Sequence, residues 1–475
     1  MLGSGWCMDS RQEDISISVC KGLLQQKNKQ ITDAGAMRKV LAIAFDFPPR
    51  RTSGVYRPTG LIKYLSSHGW MATVLTVRRR KGDLEDATLL ERIPAQVRVV
   101  RSGYFKVTGW EDPTARAVRR TGALRPQAEG TRASALDRVL RRLGDFVRSC
   151  LYFPDKTIGW VPFGLLRAIQ LCNEHHFDAV YTTSPPRSAP VIGLLLKLLA
   201  GIRWVAEFRD PWYLSPRPWR RKFDRWLESV VCRRADNLIA VTNEQADEIK
   251  RSFPVADGKV TVIDNGFDED DFTSNQASGS FSLPSGFFHL SHFGTIYSGF
   301  SGSFFPALAQ LLRDRPDWRE RLRVNIFGFP DETVRRYSES SELNGVIHLH
   351  GFLKHSDAIQ AMRSSGCLLL FLADRSESRL VVSGKTYEYL RVGRPILAVT
   401  YEGGVKRLIE EGQAGWVVHP EDTQTMKQVL QILLGEGQEK QNYQPIRPDF
   451  VAQFRYDRLA GSLASVLDKV VSHVH

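Results

Sequence analysis

The sequence predicts an α/β protein made of two parallel-sheet domains in tandem. Three observations carry that expectation. The chain has 475 residues, 42% of them hydrophobic, which is more than one ordinary core accommodates. Short apolar runs rich in branched residues alternate with stretches whose apolar residues recur at helical spacing, as βαβ units do. The alternation is broken by residues 272–286, which are poor in hydrophobics and rich in Ser and Gly, and an interdomain linker is expected there.

Composition narrows the function. The net charge of +13 points to an anionic partner, whether phosphorylated ligand, anionic membrane or nucleic acid. Cys7, Cys20, Cys150, Cys172, Cys232 and Cys367 show no paired spacing and read as free thiols in a reducing compartment. The most apolar run, Ala189 to Leu196, is broken by Lys197 and falls short of a membrane span. Residues 1–36 are polar and lack the apolar core of a secretory signal, so a cytoplasmic protein is expected. Met37-Arg38-Lys39 resembles a natural chain start, which makes residues 1–36 either a disordered extension or an upstream start that is not used.

In the first half, Val40–Phe45 reads as a buried strand and Arg57–His68 as a helix that Gly69 can cap. Trp70–Val77 is the second strand. Gly54 lies in the basic loop after the first strand, at the edge where open α/β sheets bind ligands; it is either part of a ligand-binding loop or a simple turn. No G-x-G-x-x-G follows, which argues against a dinucleotide cofactor. Val97–Val100 is a further short strand. Residues 115–150 hold nine arginines interleaved with Leu136, Val139, Leu140, Leu143, Phe146 and Val147, a basic amphipathic helix. It docks on an anionic membrane surface or is an ordinary surface helix; no nucleic-acid motif accompanies it.

A helix is expected over Val161–Glu174, followed by a strand ending at Ser184-Pro185-Pro186 and a helix over Ser188–Leu199. The strand from Trp204 ends in Arg209-Asp210-Pro211-Trp212. These two charges either face the cleft or pair with each other to fix the loop. A strand over Ala235–Thr242, a helix over Glu244–Ser252 with Thr242 or Asn243 as its cap, and a strand from Val260 towards Asn265-Gly266 close the first half. The acidic run Asp268–Asp271 reads as a solvated turn at the domain exit.

The second half opens with the strand Phe288–Phe293 and Gly294-Thr295-Ile296-Tyr297, then a helix over Phe304–Arg313. Strands over Leu322–Phe327, Val346–Leu349 and Cys367–Leu372 follow, with a helix over His355–Ser364 before the last of these. Ser383-Gly384-Lys385 then opens a short helix whose free N–H groups and positive dipole end suit an anion. Lys385 adds a cation, and Glu388 stands one turn along the same face. A strand over Ile396–Val399, a helix over Gly404–Gly412, a strand over Gly415–Val418, a helix over Asp422–Leu434 and a long helix over Phe450–Val470 complete the chain.

Lys385, Glu388, Tyr389, Leu390 and Gly393-Arg394-Pro395-Ile396 together resemble the donor-binding signature of the GT-B glycosyltransferases often called family 4. Pro154-Asp155 with Ile158-Gly159-Trp160, Ser184-Pro185-Pro186, Arg209-Asp210-Pro211-Trp212, Asn265-Gly266-Phe267-Asp268, Gly294-Thr295-Ile296-Tyr297 and His350-Gly351-Phe352 extend the resemblance over roughly residues 38–470, with a surface-polysaccharide flavour. The resemblance implies two Rossmann-like domains facing across a cleft, with a C-terminal helix crossing back to the first. The divisions are 37–271 for the acceptor domain, 272–286 for the linker, 287–447 for the donor domain and 448–475 for the crossover. It implies transfer of a sugar from a nucleoside diphosphate sugar to a saccharide or lipid-linked hydroxyl with retention, and no cofactor beyond that donor. Gly294, Thr295, Ser383, Gly384, Lys385 and Glu388 would bind the donor, Gly54 would belong to the acceptor and phosphate loop, and Arg209 and Asp210 would work across the cleft. Retaining relatives commonly carry a Glu eight residues before Glu388. Leu380 stands there, and Glu377, with Asp374 nearby, is the candidate replacement. Relatives often place Arg or Lys just after the Tyr297 position, where this chain has Ser298, Gly299, Phe300 and Ser301, so Lys385 carries more of the phosphate charge. No Asp-x-Asp motif ends a strand, and no metal is expected. A nucleotide-sugar epimerase of the same shape and a non-catalytic polysaccharide-assembly protein are the alternatives.

Overall fold

A computed structural model describes residues 37–80, 83–105, 153–212, 218–273, 281–297, 299, 301–372, 379–435 and 446–472. The expectations placed on 1–36, on the arginine-rich stretch 115–150, on Asp374 and Glu377 and on 274–280 of the linker lie outside the described residues.

The first sheet contains β1 (Arg38–Ile43), β2 (Trp70–Val77), β3 (Arg98–Ser102), β4 (Ala179–Ser184), β5 (Arg203–Phe208), β6 (Asn237–Ala240) and β7 (Val260–Val262). Its order is β3-β2-β1-β4-β5-β6-β7, parallel throughout. Its helices are α1 (Tyr56–Leu65), α2 (Val161–Glu174), α3 (Ser188–Ala200), α4 (Pro218–Arg234) and α5 (Asn243–Ser252). The short α6 (Asp270–Thr273) leads out of the domain. Val40 to Ile43 are wholly buried, as a central parallel strand covered on both faces must be. The Val40, Leu41 and Ile43 side chains each contribute about 1.5–3 kcal/mol of burial.

The second sheet repeats the plan with β8 (Phe288–Phe293), β9 (Leu322–Phe327), β10 (Ile347–Gly351), β11 (Cys367–Phe371), β12 (Ile396–Val399) and β13 (Gly415–Val418). Its order is β10-β9-β8-β11-β12-β13, again parallel. Around it lie α7 (Phe304–Asp314), α8 (Glu332–Glu339), α9 (His355–Ser364), α10 (Gly384–Val392), α11 (Gly404–Glu411) and α12 (Thr423–Leu434). Strand order reverses between β1 and β4 and again between β8 and β11. Such switch points open a crevice outside the carboxyl ends of the strands.

The crossover to the first domain is two helices, α13 (Pro448–Ala452) and α14 (Tyr456–Ser472), rather than the single helix expected from periodicity. The Phe267 N–H donates to the Phe454 carbonyl at 3.1 Å, and the Tyr456 N–H donates to the Phe267 carbonyl at 3.0 Å. That strand-like pairing pulls residues 454–456 out of helical geometry. Beyond it, Leu459, Leu463 and Leu467 of α14 share a buried cluster with Leu61 and Leu65 of α1. The approach is close because Gly60 has no side chain: a Cβ there would stand 2.2 Å from the Tyr456 ring.

The acidic run Asp268–Asp271 is not a solvated turn. Asp268 is buried and accepts from Lys63 Nζ and the Tyr64 hydroxyl, each at 2.7 Å. Glu269 pairs with Arg391 of α10, and Asp271 pairs with Arg92 at 2.6 Å. Its carboxylates find cations on both domains, so the run straps the hinge. Helices α4 and α8 were not anticipated. The first is dominated by charge, and the second buries only Val334 behind an Asp331 cap.

Candidate active site

The carboxyl edges of the two sheets face one cleft of about 570 Å³. On the second-domain wall, the N-terminus of α10 supplies Ser383, Gly384, Lys385 and Glu388. Ser383 is the extended residue before the helix, and its hydroxyl meets Thr386 Oγ1 at 3.2 Å instead of capping a backbone amide. The N–H groups of Gly384 and Lys385 belong to the first turn, which has no intrahelical acceptors for them. Gly393 ends the helix at φ +76°, a left-handed position that glycine takes without strain.

Lys385 lies against Gly294, the residue just after β8. Gly294 has φ +117°, and a Cβ there would come within 2.6 Å of Lys385 Nζ. Among the described residues Lys385 makes no hydrogen bond or ion pair. Burial lowers its ammonium to a pKa of about 8, against the opposing pull of Glu388. Behind it, His292 is pushed well below its ordinary value by burial and by Lys385, so the imidazole is neutral. The cleft therefore presents a cation without a hydrogen bond or ion pair among the described residues, at a helix N-terminus and beside a backbone with no side chain in the way.

Glu388, one turn on, is raised by burial, an effect opposed by His355 and reinforced by Asp271. The His355 ring at the start of α9 stands 3.7 Å from Glu388 Oε1 and 3.3 Å from Asp271 Oδ2. Burial lowers the imidazole, but the two carboxylates outweigh it and its pKa is raised.

On the first-domain wall, the Arg209 guanidinium donates to three backbone carbonyls: Gly54 at 2.8 Å, Pro185 at 2.6 Å and Ser184 at 3.2 Å. It ties together the loops after β1, β4 and β5. Asp210 beside it is raised by burial, with Arg209 and Arg187 opposing. Gly54 packs on Asp46 as well; a Cβ would stand 2.9 Å from Asp46 Oδ2. Below the floor, Glu207 and Arg57 form a fully buried pair at 2.7 Å. Burial alone would raise Glu207, and the Arg57 charge outweighs it and lowers the pKa. Arg57 also donates to the Ile263 carbonyl at 2.8 Å, which locks α1, β5 and the end of β7 together.

Gly54, Arg209, Asp210, Gly294, Ser383, Gly384, Lys385 and Glu388 thus all line one cleft, although up to 334 residues separate them in sequence. Thr295 follows Gly294 but is not among the lining residues, and Glu377 lies outside the described residues. Leu380 is buried away from the cleft; its carbonyl accepts from Thr242 Oγ1 at 3.0 Å across the domain boundary. The sequence reading passed over Asp46, Arg92, His355 and Asn265. Asn265, read only as a turn residue, has its Nδ2 3.4 Å from where a Cβ of Gly384 would lie, so it meets α10 across the cleft. The signal available for Asp46 and Asn265 was their position at strand ends.

Among the described residues no group of three or more His, Cys, Asp or Glu side chains is placed to hold a metal ion. Nor is any described helix long and apolar enough to cross a membrane.

The Glycosyltransferase Family 4 model matches residues 121–271, and the Glycosyl transferases group 1 model matches residues 297–436. Two curated relatives are D-inositol 3-phosphate glycosyltransferases, from Streptomyces avermitilis (24% identical) and Streptomyces scabiei (25%), each matched over 43% of this chain. The chain spans 45% and 47% of their lengths, less than half in each case. Among solved structures, Anabaena HepE in complex with UDP and glucose superposes with a TM-score of 0.56 at 16% identity, covering 91% of this chain and all of that one. Sucrose-phosphate synthase from Thermosynechococcus elongatus gives 0.57 at 13% identity, covering 92% of this chain and 100% of the other. A glycosyltransferase from Rickettsia africae gives 0.57 at 12% identity, with 92% and 99% covered. These likenesses share the GT-B fold, and the family models identify residues 121–271 as belonging to Glycosyltransferase Family 4 and residues 297–436 as belonging to Glycosyl transferases group 1.

Proposed function

We propose that this chain moves a sugar from a nucleoside diphosphate sugar to an acceptor hydroxyl, with retention at the anomeric carbon, in the assembly of a cell-surface polysaccharide or glycolipid. The observation that carries the reading is the Lys385 ammonium, unpaired among the described residues and pressed on Gly294 at the mouth of α10. As the glycosidic bond breaks, negative charge grows on the departing diphosphate and the sugar becomes oxocarbenium-like. Lys385 and the Gly384 and Lys385 amides meet that charge with donors already in place. Glu388 accepts the ribose hydroxyls. Arg209 fixes the facing loops, and Asp210 stands across the cleft with a carboxyl that burial has made less acidic. Glu377 is proposed for the carboxylate role that Leu380 cannot fill. The acceptor enters from the Gly54 side. Closure of the two walls keeps water from the donor.

The arginine-rich stretch 115–150 is proposed to hold the protein at the inner face of the cytoplasmic membrane; its charge and apolar spacing support this. Product analysis tests the reaction. Purified protein is given UDP-, GDP- and ADP-sugars with and without lipid-linked saccharide and D-inositol 3-phosphate acceptors. Acceptor-dependent release of nucleoside diphosphate with a new glycoside supports transfer. Epimerised donor in the absence of acceptor would replace it with an epimerase, and binding without turnover would leave an assembly protein.

A further inference from the structure

The cleft contains a chain of charged and aromatic groups, drawn from both domains, that the proposed chemistry does not use. Arg92 and Tyr56 belong to the first domain, Asp271 to the strap leaving it, and His355 to the second. Arg92 grips Asp271 with both nitrogens, at 2.6 Å and 2.9 Å. His355 Nε2 donates to Asp271 Oδ2 at 3.3 Å and lies 3.7 Å from Glu388 Oε1. The Tyr56 ring packs at 5.4 Å between centroids against the His355 ring, and Arg92 covers the other part of Tyr56 at 5.6 Å. The charged and titratable groups that act on the imidazole are thus the carboxylates of Glu388 and Asp271, the Arg92 guanidinium, which opposes its charge, and the Tyr56 phenol ring packed on it.

We propose that His355 is a positioning residue: as an imidazolium held by Asp271, which Arg92 anchors in turn, it keeps the Glu388 carboxylate ionised and aimed at the ribose hydroxyls of the donor. This rests on the donor-site reading above. The logic is electrostatic. Glu388 is mostly desolvated, and a desolvated carboxyl tends to take up a proton. A protonated Glu388 offers one acceptor fewer to a vicinal diol. The cation 3.7 Å away opposes that protonation, and Asp271 holds the cation in place. Because Asp271 is anchored through Arg92 on the first domain, the orientation of Glu388 depends on the domains keeping their relative placement. Glu388 and Asp271 raise the His355 pKa above its ordinary value against the effect of burial, and loss of the imidazolium as pH rises through it gives donor affinity a pH dependence that the diphosphate alone does not have.

The test separates ribose recognition from phosphate recognition. Dissociation constants are measured for UDP, GDP and ADP and for their 2′,3′-dideoxy counterparts, with wild type, His355→Ala, His355→Gln, Glu388→Gln and the His355→Ala/Glu388→Gln double variant. Wild type is expected to bind the preferred ribonucleotide about tenfold more tightly than its dideoxy form, the worth of a charge-assisted hydrogen bond. His355→Ala and Glu388→Gln each lose that ratio, and the double variant loses no more, because the two side chains act as one unit. Dideoxy nucleotide binds all the variants alike. His355→Gln, which keeps an N–H for Asp271 but no charge, retains part of the ratio and loses the fall that wild type shows as pH rises through the imidazole's titration. The proposal is overturned if His355→Ala preserves the ratio, or if it weakens both forms of the nucleotide equally, as loss of local folding would. If wild type binds neither form of any nucleotide, the donor site itself is wrong and the proposal falls with it.

Discussion

Lys385 Nζ sits 2.6 Å from the point where Gly294 would carry a Cβ, so the cation and the glycine on facing elements form one site rather than two. Gly294→Ala therefore does two things. It places a side chain at φ +117°, and it drives the lysine out of its seat. The strained backbone costs about 1–3 kcal/mol of stability, seen as a lower urea midpoint. Affinity for nucleoside diphosphate falls more than about tenfold, because the phosphate approach and the cation are lost together.

The lowered Lys385 pKa fixes the sign of a proton-linkage experiment. The folded value of about 8 lies below the ordinary 10.5, so the buried charge is a cost to the apoprotein below about pH 8 that fades as pH rises towards the unfolded value. Lys385→Met is expected to raise apoprotein stability at neutral pH. A bound diphosphate favours the ammonium, so binding above about pH 8 takes up a proton, and affinity falls as pH rises through that range. Calorimetry in two buffers of different ionisation enthalpy reads the uptake directly. It should vanish in Lys385→Met, and its persistence there would assign it to another group.

Glu207→Ala leaves the Arg57 guanidinium buried without its partner. The loss is expected to be about 3–5 kcal/mol in equilibrium unfolding. In the wild type the Glu207 carboxylate has a folded pKa below 4.5, so its contribution is present above the unfolded value and is lost as pH falls through the folded one. Wild-type stability should accordingly decline with falling pH in that acidic window, and Glu207→Ala should flatten the slope there.

Residues 115–150 carry nine arginines, and their replacement by a short Gly/Ser linker tests membrane docking. Wild type should float with vesicles containing anionic phosphatidylglycerol and not with neutral phosphatidylcholine, with binding reduced by added salt. Equal flotation of the replaced chain would remove the role from this stretch.

Much of the fold was legible in the sequence because parallel strands buried on both faces write themselves as continuous branched runs. Phe288–Phe293, Leu322–Phe327, Ile396–Val399 and Gly415–Val418 begin and end where periodicity placed them. Helix α4 escaped because its charges hide a narrow apolar stripe, and α14 was merged with α13 because side-chain spacing does not show the Phe267 backbone pairing that separates them. The second-domain wall of the cleft was legible as a local stretch, Ser383 to Glu388. What surrounds it was not. Lys385 and Gly294 are 91 residues apart, and Asp271 looks solvated until Arg92 and His355 are brought to it from distant segments. A lone histidine at a helix start carries no mark of the two carboxylates it will face.

The most direct measurement is the thermal unfolding of wild type and Lys385→Ala with saturating UDP, GDP, ADP, TDP and CDP in turn. A ligand that binds only the folded state raises the midpoint by mass action. The expected result is a rise of several degrees with one nucleotide, absent in Lys385→Ala, which places the diphosphate at α10 and names the base. No rise with any nucleotide, or the same rise in Lys385→Ala, would contradict a donor site built on Lys385 and Gly294.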